Sequence, residues 1–542
     1  MKSASILMPT LVLVACVGCR PDVSDSDVAD EALALSAEPG STLAPPESGD
    51  VSVSTPAGET QSYDEQEAYL VEGDLDAVDW RSLVGQTVAI DGELVVVDTY
   101  DLMRRGQVKV ARSRLYIPTE SIDPNDADPL GNSHVGGSNV AAVTKAQEYN
   151  DTAVVTLDDG SADQNIFPPV LFPELGADQA SLRVGSVIRN VSGKLVQAGS
   201  NLLLVPDGPL DCKPAPRPEV PDVGDAAVKV ASFNVLNYFT TIDDGDNNAR
   251  GADSDKEFER QEAKIVAAMV AMDADVIGLM ELENSLEAEE SLVAAINDAL
   301  GQNAYKACGL PDDFRSAPGG GDAIRVGIIY RPDRVDLVGS VSVIRDGAFG
   351  NARAPVVQSF QPKADGETFT VIVNHFKSKG GSGDADAANK NKGDGQAAYN
   401  AARRGQALAI CEYIEGIREQ DSDSRVLVIG DLNAYAQEDP IDALRASGLV
   451  DLHELGAETD SATAGSTKPY SFIYYGQSGS LDHALATQTL ADDVTGIAAW
   501  HINADEPRFL DYNQEFNPPN LYRDDPFRSS DHDPVLIGIR SK

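Results

Sequence analysis

The run Val535-Leu536-Ile537-Gly538-Ile539 is apolar throughout, and Ser530-Asp531-His532-Asp533-Pro534 leads straight into it. An apolar run of this length reads as a strand buried on both faces. Asp531 and His532 therefore stand at the mouth of a core, where each is costly to desolvate without a partner. The arrangement recurs along the chain. Val230-Ala231-Ser232-Phe233 ends at Asn234, and Val276-Ile277-Gly278-Leu279-Met280 ends at Glu281. Val371-Ile372-Val373-Asn374 ends at His375, and Val426-Leu427-Val428-Ile429-Gly430 ends at Asp431, with Asn433 just beyond. Asp482 and His483 follow the turn Ser478-Gly479-Ser480-Leu481. Amphipathic stretches of helical period lie between such runs, at Lys256 to Met272, Leu292 to Leu300 and Ala401 to Ile417. Strands alternating with helices predict a layered α/β fold, and strands sharing a sheet edge would bring these polar ends into one cleft.

The residue types point to a chemistry. Amide and carboxylate oxygens are hard donors, suited to magnesium, manganese or calcium rather than zinc. Separate imidazoles suit proton transfer or charge stabilisation. Phosphodiester hydrolysis needs both: a divalent ion at the phosphoryl oxygens, a base for water, and charged donors for the pentavalent state. Taken singly, a strand-ending Asn is more often a turn former and a lone His more often structural. The force of the pattern lies in the whole set occurring in this order.

At 542 residues the chain exceeds one simple domain. Its formal net charge of -45 repels nucleic acid over most of the surface. A nucleic-acid partner must then meet a local basic patch, bound cations or screening salt. Export into salty surroundings is the plain reading of the overall charge.

Residues 1–15 read as a lipoprotein-type signal peptide, with Lys2 before the apolar Ile6 to Val14. Leu13-Val14-Ala15-Cys16 has the form of a lipobox, whose cysteine, here Cys16, is lipidated after cleavage. Ordinary cleavage that frees the protein is the competing reading. Either exports the chain, as an outer-membrane lipoprotein or a secreted protein, touching membrane only through a lipid. Residues 16–64, rich in Asp, Glu, Ser, Pro and Ala, read as a disordered acidic tether. Residues 65–212 carry about five short strands with turn punctuation and read as a small OB-like β domain. Within it Arg104, Arg105, Lys109, Arg112 and Arg114, with Tyr116 just after, form a basic island. Single-strand binding and a merely solvated strand face are both open, since alternation sets Lys109 opposite Arg112 and Arg114. Residues 213–226 are a proline-rich linker, and 227–542 form the catalytic unit.

Three smaller readings remain. Gly380 to Ala398 is expected to be a mobile loop. Asp243-Asp244-Gly245-Asp246-Asn247-Asn248 is either a calcium loop lacking the closing Glu of an EF-hand or a flexible acidic loop. Cys212, Cys308 and Cys411 permit a disulfide whose pairing sequence does not give.

The phrases Phe233-Asn234, Met280-Glu281, Asn374-His375-Phe376, Gly430-Asp431-Leu432-Asn433, Leu481-Asp482-His483 and Ser530-Asp531-His532-Asp533-Pro534 resemble, in order, the endonuclease/exonuclease/phosphatase superfamily. Asn234-Val235-Leu236-Asn237-Tyr238-Phe239 and Asn374-His375-Phe376-Lys377-Ser378-Lys379 are similar to the secreted bacterial nucleases of the ExeM/NucH type. The resemblance implies a four-layer α/β sandwich. It implies that Asn234, Glu281 and Asp531 hold the metal, that Asp431 activates water, and that Asn433 assists at the phosphate. It further implies that His532, oriented by Asp482, contacts the scissile phosphate, with His375 as a second phosphate or leaving-group contact. The expected function is metal-dependent hydrolysis of DNA or RNA, with no protein partner. A nucleotidase or lipid phosphodiesterase on the same fold is the first alternative, and a non-catalytic nucleic-acid-binding surface protein the second.

Overall fold

The computed structural model describes residues 68–540 apart from 126–137, 176–180, 365, 382, 384, 456–467, 515–516 and 519. The leader, the tether and Cys16 lie outside the described residues. Two six-stranded sheets dominate the chain from Val228 onward. The first runs in the order Lys306–Ala307, Ile324–Tyr330, Val276–Glu283, Val228–Tyr238, Val535–Ile539, Val494–Ala499. The second runs Val335–Val343, Val356–Pro362, Phe369–His375, Val426–Asp431, Asp482–Thr487, Leu449–Asp451. In each sheet a central parallel pair is flanked by an antiparallel strand that returns to it.

Burial on both faces explains the unbroken apolar runs. Val230, Val276, Val326 and Ile537 of the first sheet share one core with Val371, Val373, Leu427 and Ala484 of the second. The sheets approach so closely at Gly278 that a Cβ there would lie 2.8 Å from Ile429 Cδ1 and from Val373 Cγ2. The outer face of the first sheet is covered by the helices Asp255–Met272 and Leu286–Leu300, through Ile265, Met269, Leu292 and Ile296. The second is covered by Asn400–Arg418 and Asp439–Ala446, through Ile410, Ile414, Ile441 and Leu444. The result is four layers, helices outside and sheets within. Helix Leu286–Leu300 shows its local causes: Ser285 Oγ accepts the Ala288 N–H at 3.2 Å, and Gly301 ends it at φ 64.

Residues 69–213 build a separate nine-stranded sheet around Val88, Leu94, Val96, Val110, Leu157, Ile188 and Leu204. It holds more strands than the five expected. The run Val184 to Leu195 breaks at Asn190, φ 56, into Val187–Arg189 and Val191–Ala198. The run Val108 to Ile117 also divides. Gln107–Ala111 stays in the sheet, whereas Leu115–Tyr116 leaves it to pair with Gln477–Gly479 of the C-terminal part. Phe509 and Leu521 of the C-terminal part join the N-terminal core.

The proline-rich segment 213–226 is strapped down rather than free. Trp500 Nε1 donates to Pro218 O at 3.3 Å, and Arg217 pairs with Glu506 at 3.0 Å and Asp525 at 3.3 Å. The loop expected to be mobile is likewise held where it is described, because Arg403 donates to Gln396 O at 2.6 Å and to Ala398 O at 2.7 Å. Cys212, Cys308 and Cys411 are free thiols. Among the described residues no helix is long and apolar enough to cross a membrane.

Candidate active site

Strand register assembles the site. In the second sheet His375 stands opposite Asp431, and Asp431 opposite Asp482, so three functional side chains lie abreast on three neighbouring strands. Gly430 precedes Asp431 at φ 129, and a Cβ there would lie 2.0 Å from Asn374 O. Only glycine lets the chain pass Asn374 and present Asp431. In the first sheet Asn234 pairs with Met280, which puts Glu281 beside it. Glu281 has φ 64 and Asn433 has φ 47, left-handed values that are sparsely populated outside glycine and cluster at functional sites. Asp531 and His532 arrive from the loop leading into Val535–Ile539, the neighbour of Val228–Tyr238.

The two sheets meet at these ends. Asn234 Nδ2 donates to Glu281 Oε1 at 3.1 Å and to Asp431 Oδ2 at 3.4 Å. His375 Nε2 lies 3.4 Å from Asp431 Oδ2 and 4.0 Å from Glu281 Oε1. His532 Nδ1 donates to Asp482 Oδ2 at 2.7 Å, and its Nε2 faces Asp431 Oδ2 at 4.0 Å. Asn433 N–H donates to Asp431 Oδ1 at 2.8 Å, and its Nδ2 donates to Phe376 O at 3.3 Å. Ser530 Oγ donates to Asp531 Oδ1 at 3.4 Å.

Electrostatics separate the groups. Burial, then the charge of Asp531, raises the pKa of Glu281 above the usual carboxylate range. Burial likewise raises Asp431, and nearby Asp482 and Glu281 push the same way. The imidazoles diverge. Burial drives His375 well below its ordinary value, aided by Arg353, His532 and Lys377, so it is neutral. Burial would lower His532 too, but Asp482, Asp431 and Asp531 outweigh it and hold the ring as imidazolium.

Glu281, His375 and Asp431 each offer a ligand atom within 4.8 Å of the others. Glu281 and Asp431, each raised by burial and by neighbouring carboxylates, are a pair that a divalent cation would relieve, and their oxygens with Asn234 Oδ1 suit a hard ion. The residues present therefore fit a divalent metal. The imidazole of His375, which the resemblance makes a second phosphate or leaving-group contact, belongs to this same cluster.

Sequence reasoning missed several members. Ser471 Oγ donates to Asp482 Oδ2 at 2.6 Å, and the Phe472 ring lies 4.7 Å from that of His532. Arg353 is buried, donates Nη2 to Phe376 O at 2.8 Å, leaves Nε without a partner and forms no ion pair among the described residues. Lys377 is also without an ion pair among them, its Nζ 4.7 Å from the Tyr399 ring centroid. Two unpaired cations beside the site in so acidic a chain are a signal that charge pairing, unreadable in sequence, would have given. His483 Nε2 meets Ala434 O at 2.7 Å, and Asp533 bonds His501 and the backbone of Asn503 and Ala504, which are structural roles. Arg528 turns to Asn503 O at 3.0 Å and Asp511 at 4.0 Å rather than to Asp524 or Asp525.

The six residues of the basic island do not form one surface. Arg104 and Arg105 are exposed at the end of a one-turn helix. Lys109 pairs with Asp98 at 2.6 Å, and Arg112 Nε donates to Gly73 O at 2.8 Å. Arg114 is buried between the two parts of the chain, its guanidinium on both oxygens of Asp505 at 2.9 and 3.2 Å. Tyr116 belongs to the strand that pairs with Gln477–Gly479, with Lys468 Nζ 5.1 Å from its ring centroid.

No curated protein sequence matches the chain. Among solved structures it is similar to an endonuclease/exonuclease/phosphatase family protein from Bacteroides thetaiotaomicron, at 16% identity and a TM-score of 0.37 over 57% of this chain and 93% of that one. A mannosyl-6-phosphatase from the same organism gives 16% identity and a TM-score of 0.37 over 58% and 99%. TDP2 of D. rerio, complexed with a single-strand DNA product, gives 16% and 0.34 over 57% and 97%. The sequence profile of the Endonuclease/Exonuclease/phosphatase family matches residues 231–532, more than half of the chain, and the protein belongs to that family.

Proposed function

We propose that the protein is an exported, metal-dependent nuclease that hydrolyses phosphodiester bonds of DNA, and of RNA as a second substrate. The observation that carries this reading is the meeting of Asn234, Glu281, His375, Asp431 and the Asp482–His532 pair at one end of two packed sheets. Export rests on the leader of residues 1–15 before Cys16, and the OB-like assignment of residues 65–212 belongs to the same reading.

Asn234, Glu281 and Asp531 would hold the divalent ion, magnesium first, with manganese and calcium also fitting these oxygens. When bound, it would supply positive charge to the phosphoryl oxygens. The protein's own groups divide the remaining work. Asp431 is oriented through its bond to the Asn433 N–H and positions the attacking water, accepting its proton. His532 is held cationic and aimed by Asp482, and stabilises the charge that develops on the phosphate. His375, being neutral, donates to a phosphate or leaving-group oxygen without bringing charge, and Asn433 offers its amide. Arg353 and Lys377 add local positive charge for a polyanion in a chain of net charge -45.

The deciding experiment incubates the purified protein with plasmid DNA, RNA and a mononucleotide, with magnesium and with chelator. Metal-dependent cleavage of the polynucleotides supports the reading. Metal-independent cleavage, or hydrolysis of the mononucleotide alone, overturns it.

A further inference from the structure

The hairpin of Phe472–Tyr474 and Gln477–Gly479 carries both supports of His532. At one end Phe472 packs on the imidazole, and Ser471 Oγ grips Asp482. At the other, Ser480 and Leu481 lead directly into Asp482. Two strands of three residues have little stability of their own.

The N-terminal part supplies the third strand. Leu115–Tyr116 adds in parallel, Leu115 opposite Gln477 and Tyr116 opposite Ser478, and Ile117 N–H donates to Ser478 O at 2.9 Å. Asn150 Nδ2 donates to Tyr116 O at 2.8 Å and to Gln477 Oε1 at 2.6 Å. Arg114 reaches Ser478 Oγ at 2.9 Å. The turn Pro118–Glu120 then closes on the catalytic part, since Gln437 N–H donates to Thr119 O at 2.9 Å and Thr119 Oγ1 to Glu438 Oε1 at 2.9 Å. Glu120, only 6% exposed, accepts the Ser480 N–H at 3.0 Å. The fit is close: a Cβ on Gly479 would lie 3.3 Å from Glu120 Oε2 and 2.5 Å from the Tyr435 ring. Glu120 makes no ion pair among the described residues, and burying a carboxyl without one is costly.

We propose that Glu120 is a positioning residue for His532. By holding the backbone of Ser480, two residues before Asp482, it sets where Asp482 meets the imidazole, and it makes the N-terminal part a component of the active site. The proposal rests on the phosphoester-hydrolysis reading above. Ser480 is further tied to Asp482 by its own hydroxyl, which donates to Asp482 O at 3.0 Å, and Leu481 O accepts the Leu432 N–H at 2.9 Å beside Asp431.

The test compares Glu120→Ala and Glu120→Gln on bis(p-nitrophenyl) phosphate and plasmid DNA, with magnesium. Glu120→Ala is expected to lower kcat roughly tenfold, the usual loss when a supporting hydrogen bond behind a reacting group is removed, with KM within about twofold. Glu120→Gln keeps an acceptor for Ser480 and restores kcat. In an Asp482→Asn background Glu120→Ala costs nothing further, because both act through one imidazole. Asn150→Ala, which frees Gln477 and Tyr116, shifts kcat the same way and carries the test if Glu120→Ala does not fold. A rise in KM alone, no rescue by Gln, or losses that multiply with Asp482→Asn overturn the proposal. Should the wild type cleave neither substrate, the functional reading fails, and NMR still decides the positioning. The His532 Nδ1–H resonance, assigned by its loss in His532→Ala, moves in Glu120→Ala and returns in Glu120→Gln. An unmoved resonance overturns the proposal.

Discussion

Asp482 accepts the Nδ1–H of His532 at 2.7 Å, and the two residues belong to different sheets. Asp482 opens the strand Asp482–Thr487 of the second sheet, while His532 precedes Val535–Ile539 of the first. The bond therefore closes the sandwich at its functional end and fixes the ring orientation that leaves Nε2 toward Asp431. Asp482→Asn is expected to lower kcat by about a hundredfold or more, the scale of a positioned proton donor, with little change in KM. His532→Ala should abolish turnover while the far-ultraviolet circular dichroism stays that of the wild type. Activity surviving in His532→Ala would remove that residue from the reaction.

The metal assignment predicts a readout independent of turnover. A ligand that binds only the native state stabilises it by about 2.7 kcal/mol at a hundred times its Kd. Magnesium should thus raise the Tm of the wild type, and Glu281→Gln should lose the shift. Chelator should return the wild type to the lower Tm and remove hydrolysis together. A Glu281→Gln protein that keeps the full magnesium shift would place the ion elsewhere.

Gly430 links the backbone to the chemistry. At φ 129, with Asn374 O where its Cβ would be, alanine must move one of the two central strands. Gly430→Ala is expected to destabilise by about 3 kcal/mol, the range for strained backbone positions, and to lower kcat by displacing Asp431. Urea denaturation read by fluorescence of Trp80 and Trp500, the two tryptophans of the chain, measures the first effect. A variant as stable as the wild type would contradict the steric argument.

Much of the chain from Val228 onward was legible because its signals are local. Unbroken apolar runs such as Val426 to Ile429 mark strands covered on both faces, and a polar residue ending each run marks the sheet edge. Helix periods at Lys256 to Met272 and Ala401 to Ile417 gave elements within a residue or two of those observed. What stayed hidden depends on pairing between distant segments. Leu115–Tyr116 reads as the end of one strand, yet it belongs to a sheet with residues more than 350 positions away. Arg114 looks like surface charge until Asp505 is placed against it, and Arg353 acquires meaning only through the ion pairs it lacks. Composition gives charge, not who faces whom.

Arg114 separates two readings of the basic island. Its guanidinium is buried on Asp505 and lies 4.3 Å from the Tyr470 ring centroid. Removing one partner of a buried pair leaves the other charge uncompensated, at about 3–5 kcal/mol. Arg114→Ala should therefore lower stability strongly, while the salt slope of DNA binding stays that of the wild type, since no phosphate contact is lost. Arg104→Ala with Arg105→Ala should do the reverse if those exposed side chains meet phosphate. Deleting residues 65–212 would blur the two effects, because it also strips the third strand from the hairpin before Asp482.

Glu120 gives a pH dependence of stability with a definite sign. Burial raises its folded-state pKa from 4.5 to about 8, with Asp451 and Glu438 adding to the rise and the Ser480 and Ala436 N–H groups opposing it. Between those two values the folded protein holds a proton on Glu120 that the unfolded chain has released. The folded state then binds more protons than the unfolded one, so stability falls as pH rises. This contribution is fully present below about pH 4.5 and is lost as pH passes through about 8. Glu120→Gln cannot titrate, so its urea midpoint should decline less than that of the wild type from pH 5 to 8.5. The two midpoints should diverge most near the upper end of that range, where the wild type carries a buried charge beside Glu438 and the variant does not. Parallel curves for wild type and variant would mean that Glu120 keeps an ordinary carboxylate pKa, and that its carboxyl is better solvated than its position against Ser480 and Gly479 implies.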